Sequence, residues 1–286
     1  MSDPRDRLTA MSTLRVAVTQ PTASPDPRRN GAVTRQLMRT AAAQGARLVL
    51  FPEGHLSGYA KEQVSDLADV DWSVVHEETE AVAELAGELG LWVVLGSSHP
   101  LTPPHRPHNS MYVISDTGRV IDRYDKRFCS AAETLHHYTP GTDPTTFEVD
   151  GYRFGIAVCV EINFLNVFTE YAALGVDCLL LPAYPIDAIF RTKAQAMAAI
   201  NTYWVAVSSV AQRRQLVPAE VFGPDGTSLT AAAGDEAIVH ADLNRDDPQF
   251  HIALDLARPW RGSAHDGSFY RGYLVDDPRS SVKTAL

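Results

Sequence analysis

The sequence predicts an α/β fold, one domain in which two mixed β-sheets lie face to face and helices cover the outside. Three observations lead there. Short apolar runs alternate with longer stretches whose apolar residues recur at helical spacing, the order that builds sheets covered by helices. Turn chemistry between some of the runs, Asp116-Thr-Gly-Arg119 above all, adds hairpins to the crossovers. Finally, Gly45-Ala-Arg-Leu-Val-Leu-Phe-Pro52 and Gly175-Val-Asp-Cys-Leu-Leu-Leu-Pro182 follow one plan of glycine, polar residue, apolar strand and proline. That echo points to two similar halves.

Residues 1–12 read as a loose arm. Leu14-Arg-Val-Ala-Val-Thr is the first strand, and a Pro-rich loop leads to a helix from about Gly31 to Gln44, with Val33, Leu37, Met38 and Ala41 as its apolar stripe. Arg47–Phe51 is a short strand stopped by Pro52. Residues 73–89 form a second helix, Leu91–Leu95 a strand, and Met111–Ile114 with Val120–Tyr124 a hairpin. In the second half, Phe154–Val158 is a strand, Phe164–Leu174 a helix and Asp177–Leu181 a strand. A helix over 191–201, a strand over Trp204–Ser208 and a hairpin of Ala219–Phe222 with Ser228–Ala232 follow. The strand Glu236–Leu243 and a short helix near 248–257 come last. The domain spans 13–275, with a tail over 276–286.

Composition narrows the function. With 45% hydrophobic and 21% charged residues, the 286-residue chain has material for a full core. Its net charge of −10 leaves no basic face for nucleic acid. The longest apolar run, Leu89 to Gly96, is far too short to span a bilayer, so no membrane partner is expected. Met1-Ser-Asp-Pro-Arg-Asp-Arg does not read as a secretory signal, and Cys129, Cys159 and Cys178 read as reduced cytoplasmic thiols. His105, His108, His136 and His137 lie in loops without a matching carboxylate or Cys cluster, so no metal site is expected. Only four of the 25 basic residues are lysines: Lys61, Lys126, Lys193 and Lys283.

Three segments put a reactive group just past a strand, where α/β folds place their sites. They are Leu48-Val-Leu-Phe-Pro-Glu53, Tyr124-Asp-Lys126 and Phe154-Gly-Ile-Ala-Val-Cys159. Taken singly, the Glu reads equally as a loop acid, the Lys as a solubility charge and the Cys as a core residue. Together they are chemically complete. A thiol attacks as thiolate, a desolvated carboxylate can take its proton, and an ammonium can bond an oxyanion. Such a set performs acyl transfer with neither metal nor cofactor.

Leu50-Phe-Pro-Glu53 with Gly58-Tyr59, Lys126 with Glu133, Tyr138-Thr-Pro-Gly141 and Gly155-Ile-Ala-Val-Cys159 resemble, in that order, the motifs of the nitrilase (carbon–nitrogen hydrolase) superfamily. The likeness runs from Leu14 to about Tyr273. It implies an α-β-β-α sandwich that commonly dimerises and hydrolysis of a non-peptide C–N bond. By position it implies Cys159 as nucleophile, Glu53 as general base and Lys126 as oxyanion stabiliser. Glu133 would position substrate or the lysine, and the Val160 N–H would be the second oxyanion donor.

The stretch after the nucleophile departs from the family pattern of aromatic, acid, x, Arg, Phe, Pro, Glu. Here it reads Val160-Glu-Ile-Asn163-Phe-Leu-Asn166, and an amide–amide bond between Asn163 and Asn166 is expected to replace the ion pair. The first expectation is hydrolysis of a small amide or N-carbamoyl compound through a thioester, releasing ammonia. A nitrilase working through a thioimidate is the alternative, to which Glu161 inclines, and a catalytically inactive binding module is another. Tyr59, Tyr184, His136, His137 and Trp204 are candidate pocket walls, each equally readable as core or surface. Residues 258–273 are expected to bury an apolar face against a twin chain.

Overall fold

The computed structural model describes residues 13–284, so the expected arm over 1–12 lies outside the described residues. The strands form two six-stranded sheets, the first built by the N-terminal half together with the last strand of the chain and the second by the strands between. The first has the order β12-β1-β2-β3-β4-β5, with β1 (Thr13–Gln20), β2 (Leu48–Leu50), β3 (Trp92–His99), β4 (His108–Ile114), β5 (Val120–Asp125) and β12 (Ala237–Asn244). The second has the order β11-β10-β9-β8-β7-β6. Its strands are β6 (Thr146–Val149), β7 (Tyr152–Ile156), β8 (Cys178–Pro182), β9 (Trp204–Ser208), β10 (Glu220–Phe222) and β11 (Ser228–Ala231).

The two halves share a plan. Pairing from β1 to β5 runs parallel, parallel, antiparallel, antiparallel, and pairing from β7 to β11 repeats it. The echoing segments are β2 and β8, the second strand of each repeat.

Alternation along the strands makes the layers. Leu14, Val16, Val18, Leu48, Leu50 and Val94 face the other sheet and meet Phe154, Ile156, Leu180, Trp204 and Ala206. Ala17, Val49, Val93 and Leu95 face outward onto α1 (Pro27–Ala43) and α2 (Trp72–Leu89). On the far side, Leu179, Leu181, Val205 and Val207 face α4 (Leu165–Ala173) and α5 (Ile189–Asn201). Strands buried on both faces read as continuous apolar runs, which is how β2 and β8 stand out in the sequence. The expected α-β-β-α sandwich of mixed sheets is borne out.

Several boundaries differ. Helix α1 begins at Pro27 rather than Gly31, because Asp26 accepts from the amides of Arg28 and Arg29 and proline suits the first helical position. Strand β6 and α3 (Ala131–His136) were not anticipated. The helix near 248–257 is a 3₁₀ turn and a π-helical stretch that continue into α6 (Arg258–Ala264). Trp204 belongs to the core between the sheets and not to a pocket wall. The expected tail contains a helical turn, α7 (Pro278–Ser281).

Candidate active site

Glu53, Lys126 and Cys159 follow β2, β5 and β7. Strand β5 points the same way as β2, since two antiparallel steps separate it from β3, which lies parallel to β2. The C-terminal ends of the two sheets meet, and the three side chains converge there.

The loop carrying Glu53 lies tight on β3. A side chain at Gly96 would put its Cβ 1.9 Å from the Pro52 carbonyl oxygen, so only glycine allows this approach. The Glu53 carboxylate is buried and accepts three hydrogen bonds. Asn109 Nδ2 (2.8 Å) and Lys126 Nζ (2.7 Å) donate to Oε1, and the Tyr184 amide (3.1 Å) donates to Oε2. Tyr184 follows β8, so the two echoing strands each supply one partner of this contact.

Lys126 is 1% exposed. Its ammonium also donates to Glu133 Oε1 at 2.8 Å. Burial opposes the charge, but the Glu53 and Glu133 carboxylates hold its pKa well above the ordinary lysine value. Its backbone is fixed from two sides: the Lys126 amide donates to the Asn109 carbonyl, and the Gly141 amide donates to the Lys126 carbonyl. A Cβ at Gly141 would lie 2.2 Å from the Asp125 carbonyl oxygen, which gives the aromatic-x-Pro-Gly motif a physical reason.

Glu133 is set by a capping box at the start of α3. Ser130 Oγ accepts from the Glu133 amide, and Glu133 Oε2 accepts from the Ser130 amide at 2.7 Å. Its other oxygen also accepts from the Tyr59 hydroxyl at 2.9 Å. Although burial works against its charge, Lys126 and the Ser130 donors bring its pKa below the usual carboxylate range.

Cys159 occupies the left-handed backbone region, with φ at 50°, at the head of the 3₁₀ turn Cys159–Asn163. A non-glycine residue there is strained by roughly 1–3 kcal/mol, a cost that recurs where a side chain must be presented at a site. Its Sγ lies 3.6 Å from the Tyr184 carbonyl oxygen. Burial, then the Glu53 charge, push the thiol pKa well above its ordinary value against the pull of Lys126, so the resting group is a protonated thiol.

Cys159, Lys126, Glu133, Tyr59, Tyr184 and Val160 all line one small cavity of about 110 Å³. Tyr59 and Tyr184 stack with ring centroids 5.2 Å apart. His136 and His137 instead line a separate cleft with Pro103, Pro104 and His105, so they are not walls of this cavity. Cys129 packs behind the wall in the cluster of Tyr59, Tyr138 and Tyr184, where burial pushes its thiol up to about 12. Cys178 is in the core.

Two corrections concern the stretch after Cys159. Asn163 does not pair with Asn166: its amide nitrogen donates to the Val160 carbonyl, and its oxygen accepts from Lys193 Nζ at 2.7 Å. Glu161, read as a hint about substrate, turns away from the cavity. It accepts from the amides of Arg127, Phe128 and Val158 and from the Tyr124 hydroxyl. Glu161 therefore ties the loop after Lys126 to the end of the strand before Cys159.

The sequence matches the carbon–nitrogen hydrolase family over residues 15–249. The chain belongs to that family. This carbon–nitrogen hydrolase is 26% identical to the omega-amidase NIT2 of Danio rerio over 255 residues, covering 82% of the chain and 89% of the relative. It is also 26% identical to omega-amidase NIT2 of Homo sapiens, covering 72% of the chain and 80% of the relative. Among solved structures, an amidase from Nesterenkonia sp. superposes with a TM-score of 0.74 at 24% identity, covering 88% of this chain and 98% of that one. A variant of that amidase carries the acetamide moiety of fluoroacetamide on its active-site cysteine. Among the described residues, no helix of this hydrolase is long and apolar enough to cross a membrane.

Proposed function

We propose that this carbon–nitrogen hydrolase cleaves the amide bond of a small acyl amide or N-carbamoyl compound through a thioester on Cys159. The observation that carries the reading is the fully buried Lys126 ammonium, shared by Glu53 and Glu133 on the wall of the cavity that holds the Cys159 thiol. Burying such a charge carries a desolvation cost even when it is paired, and a buried, strongly perturbed ammonium beside a cavity marks a candidate functional group.

The steps follow from the groups in place. Cys159 Sγ bonds to the substrate carbonyl carbon as its proton passes to Glu53, which suits a thiol that rests protonated. Lys126 Nζ and the Val160 N–H, which has no intrahelical partner in the first turn after Cys159, donate to the oxyanion. The tetrahedral intermediate collapses, the C–N bond breaks, and the Glu53 proton leaves on nitrogen as ammonia. Water then attacks the thioester with Glu53 again taking a proton, and the acid departs as the thiol re-forms. Tyr59 and Tyr184 shape the wall, and Glu133 positions Lys126 rather than touching the reacting atoms.

The relatives' names favour an amide over a nitrile. Glu161 lends the nitrile reading no support, because its oxygens are all spent on the protein. An inactive binding module has no physical need for a buried lysine between two carboxylates. The reading includes a homodimer: beyond α6, Phe269, Tyr270, Tyr273 and Leu274 are exposed and available to a twin. It also includes the cytoplasm, where Cys159 stays reduced. The test is ammonia release from a panel of amides, N-carbamoyl amino acids and nitriles. Amide or carbamoyl turnover that is absent in Cys159→Ala is expected, and turnover of nitriles alone would overturn the reading.

A further inference from the structure

The two oxygens of the Glu53 carboxylate are held unequally. Each oxygen of a carboxylate has room for two donors. Oε1 has both, Asn109 Nδ2 at 2.8 Å and Lys126 Nζ at 2.7 Å, whereas Oε2 has the Tyr184 amide at 3.1 Å. Tyr184 also meets the nucleophile, since its carbonyl oxygen lies 3.6 Å from Cys159 Sγ. The oxygen with room to spare is therefore the one whose backbone partner touches the thiol.

Asn109 is the uncharged side chain in this arrangement. Pro52 and Gly54 lie against Gly96 of β3, which holds Glu53 beside the next strand, β4, where Asn109 stands opposite Ser98. The Asn109 side chain donates to Glu53, and its backbone carbonyl accepts from the Lys126 amide at 2.9 Å. One buried residue thus fixes the base through its side chain and the lysine through its backbone. Its carboxamide is used at one end: among the described residues, Oδ1 is buried without a hydrogen-bond partner. An unpaired buried acceptor costs stability, which packing alone gives no reason to accept. The reverse setting would aim Oδ1 at the Glu53 carboxylate, so the charge of Glu53 dictates which end faces it.

We propose that Asn109 is a positioning residue of the reaction, one that turns the Glu53 carboxylate so that Oε2 takes the proton of the Cys159 thiol. This rests on the roles given above to Glu53 and Cys159. As the S–H bond breaks, the proton goes to Oε2 and the sulfur electron pair forms the bond to the carbonyl carbon; the same proton later leaves on nitrogen. Asn109 gains and loses nothing in these steps. Without its N–H, the carboxylate is less firmly oriented, and its charged form has lost a donor, so it is easier to protonate from solvent.

The test uses Asn109→Leu, which keeps the volume and removes the donor, and Asn109→Ala, which removes it without crowding. Two rates are followed across pH: ammonia release from a small amide, and labelling of Cys159 by iodoacetamide, located by peptide mapping. In labelling, the S–C bond forms as the C–I bond breaks, iodide leaves and the thiol proton goes to Glu53, so the base is needed but amide hydrolysis is not. In both variants kcat is expected to fall about tenfold or more with KM within about twofold, and labelling to slow by a similar factor. The acid limbs of kcat/KM and of labelling are expected to move up by about one pH unit, the size of a hydrogen bond to a charged group. The titratable groups around Glu53, namely Lys126, Cys159, Glu133, Tyr59, Tyr138 and Cys129, are the same in every protein compared, so the movement reads the lost donor. Lower thermal stability with kcat, labelling and both acid limbs unchanged overturns the proposal and leaves Asn109 a packing residue. No ammonia from any amide in the wild type, with labelling that still responds to Asn109, would overturn the amidase reading and uphold the positioning role.

Discussion

Replacing Lys126 by Met keeps the length and most of the volume of the side chain and removes the charge together with the N–H groups that donate to Glu53 and Glu133. In the native protein the ammonium lies 2.7 Å from one carboxylate and 2.8 Å from another, and all three groups are buried. Removing one partner of such a buried set costs about 3–5 kcal/mol, because the groups left behind have lost the solvent as well as the counter-charge. The sign of the pH dependence should change too. In the wild type the Glu133 pKa is lowered, so the stability it contributes is present above the unfolded pKa of 4.5 and is lost as pH falls through the lower folded value. In Lys126→Met, the burial that works against the Glu133 charge is no longer opposed by the cation, so this carboxylate should hold a proton more tightly than in the wild type. Its contribution then favours the fold at low pH and is lost as pH rises. Urea unfolding of both proteins at pH 5 and pH 8 measures this directly. The deficit of the variant should be largest at pH 8, and kcat should fall by at least about 10²-fold at either pH. A variant as stable as wild type at pH 8, or a deficit that grows towards acid, would refute the reasoning.

Glu53→Gln keeps the shape of the base and removes its proton affinity, so kcat should drop by about 10²–10⁴; steady-state kinetics that match wild type would take Glu53 out of the mechanism. Glu161→Gln can no longer accept from three amides and a hydroxyl at once, which should loosen the loop after Lys126. Lower kcat with little change in KM, together with faster amide exchange at Arg127 and Phe128, is expected, and unchanged exchange there would deny Glu161 its tethering role. Light scattering at micromolar concentration should give twice the 31.3 kDa chain mass or a higher multiple, and a monomer would remove the twin from the reading.

The catalytic candidates were legible because each stands at the end of a strand and belongs to an ordered set. Their supports were not. Asn109 reaches Glu53 from β4 across 56 residues, and nothing in a single sequence marks such a contact. The clamp of Glu161 on the Lys126 loop is equally long-range. Helix α3 did carry a local sign, since Ser130 and Glu133 stand at capping-box spacing, but its six residues are too few to show helical periodicity. Strand β6 is four residues long and alternates exposed with buried, and it owes its place to the turn at Asp150 and Gly151, where φ is 48° and 83°. His136, His137 and Trp204 show the opposite failure. Their residue types suit a pocket, and only the packing of the sheets decides which of them reach one.

Acid quenching during turnover of an amide, followed by peptide mapping, tests the chemistry most directly. If Cys159 attacks the carbonyl carbon, the peptide carrying it gains the mass of the acyl group, the adduct disappears on further incubation in water, and Cys159→Ala shows neither adduct nor ammonia. An acyl adduct confined to Cys129, or full turnover by Cys159→Ala, would contradict the thioester mechanism.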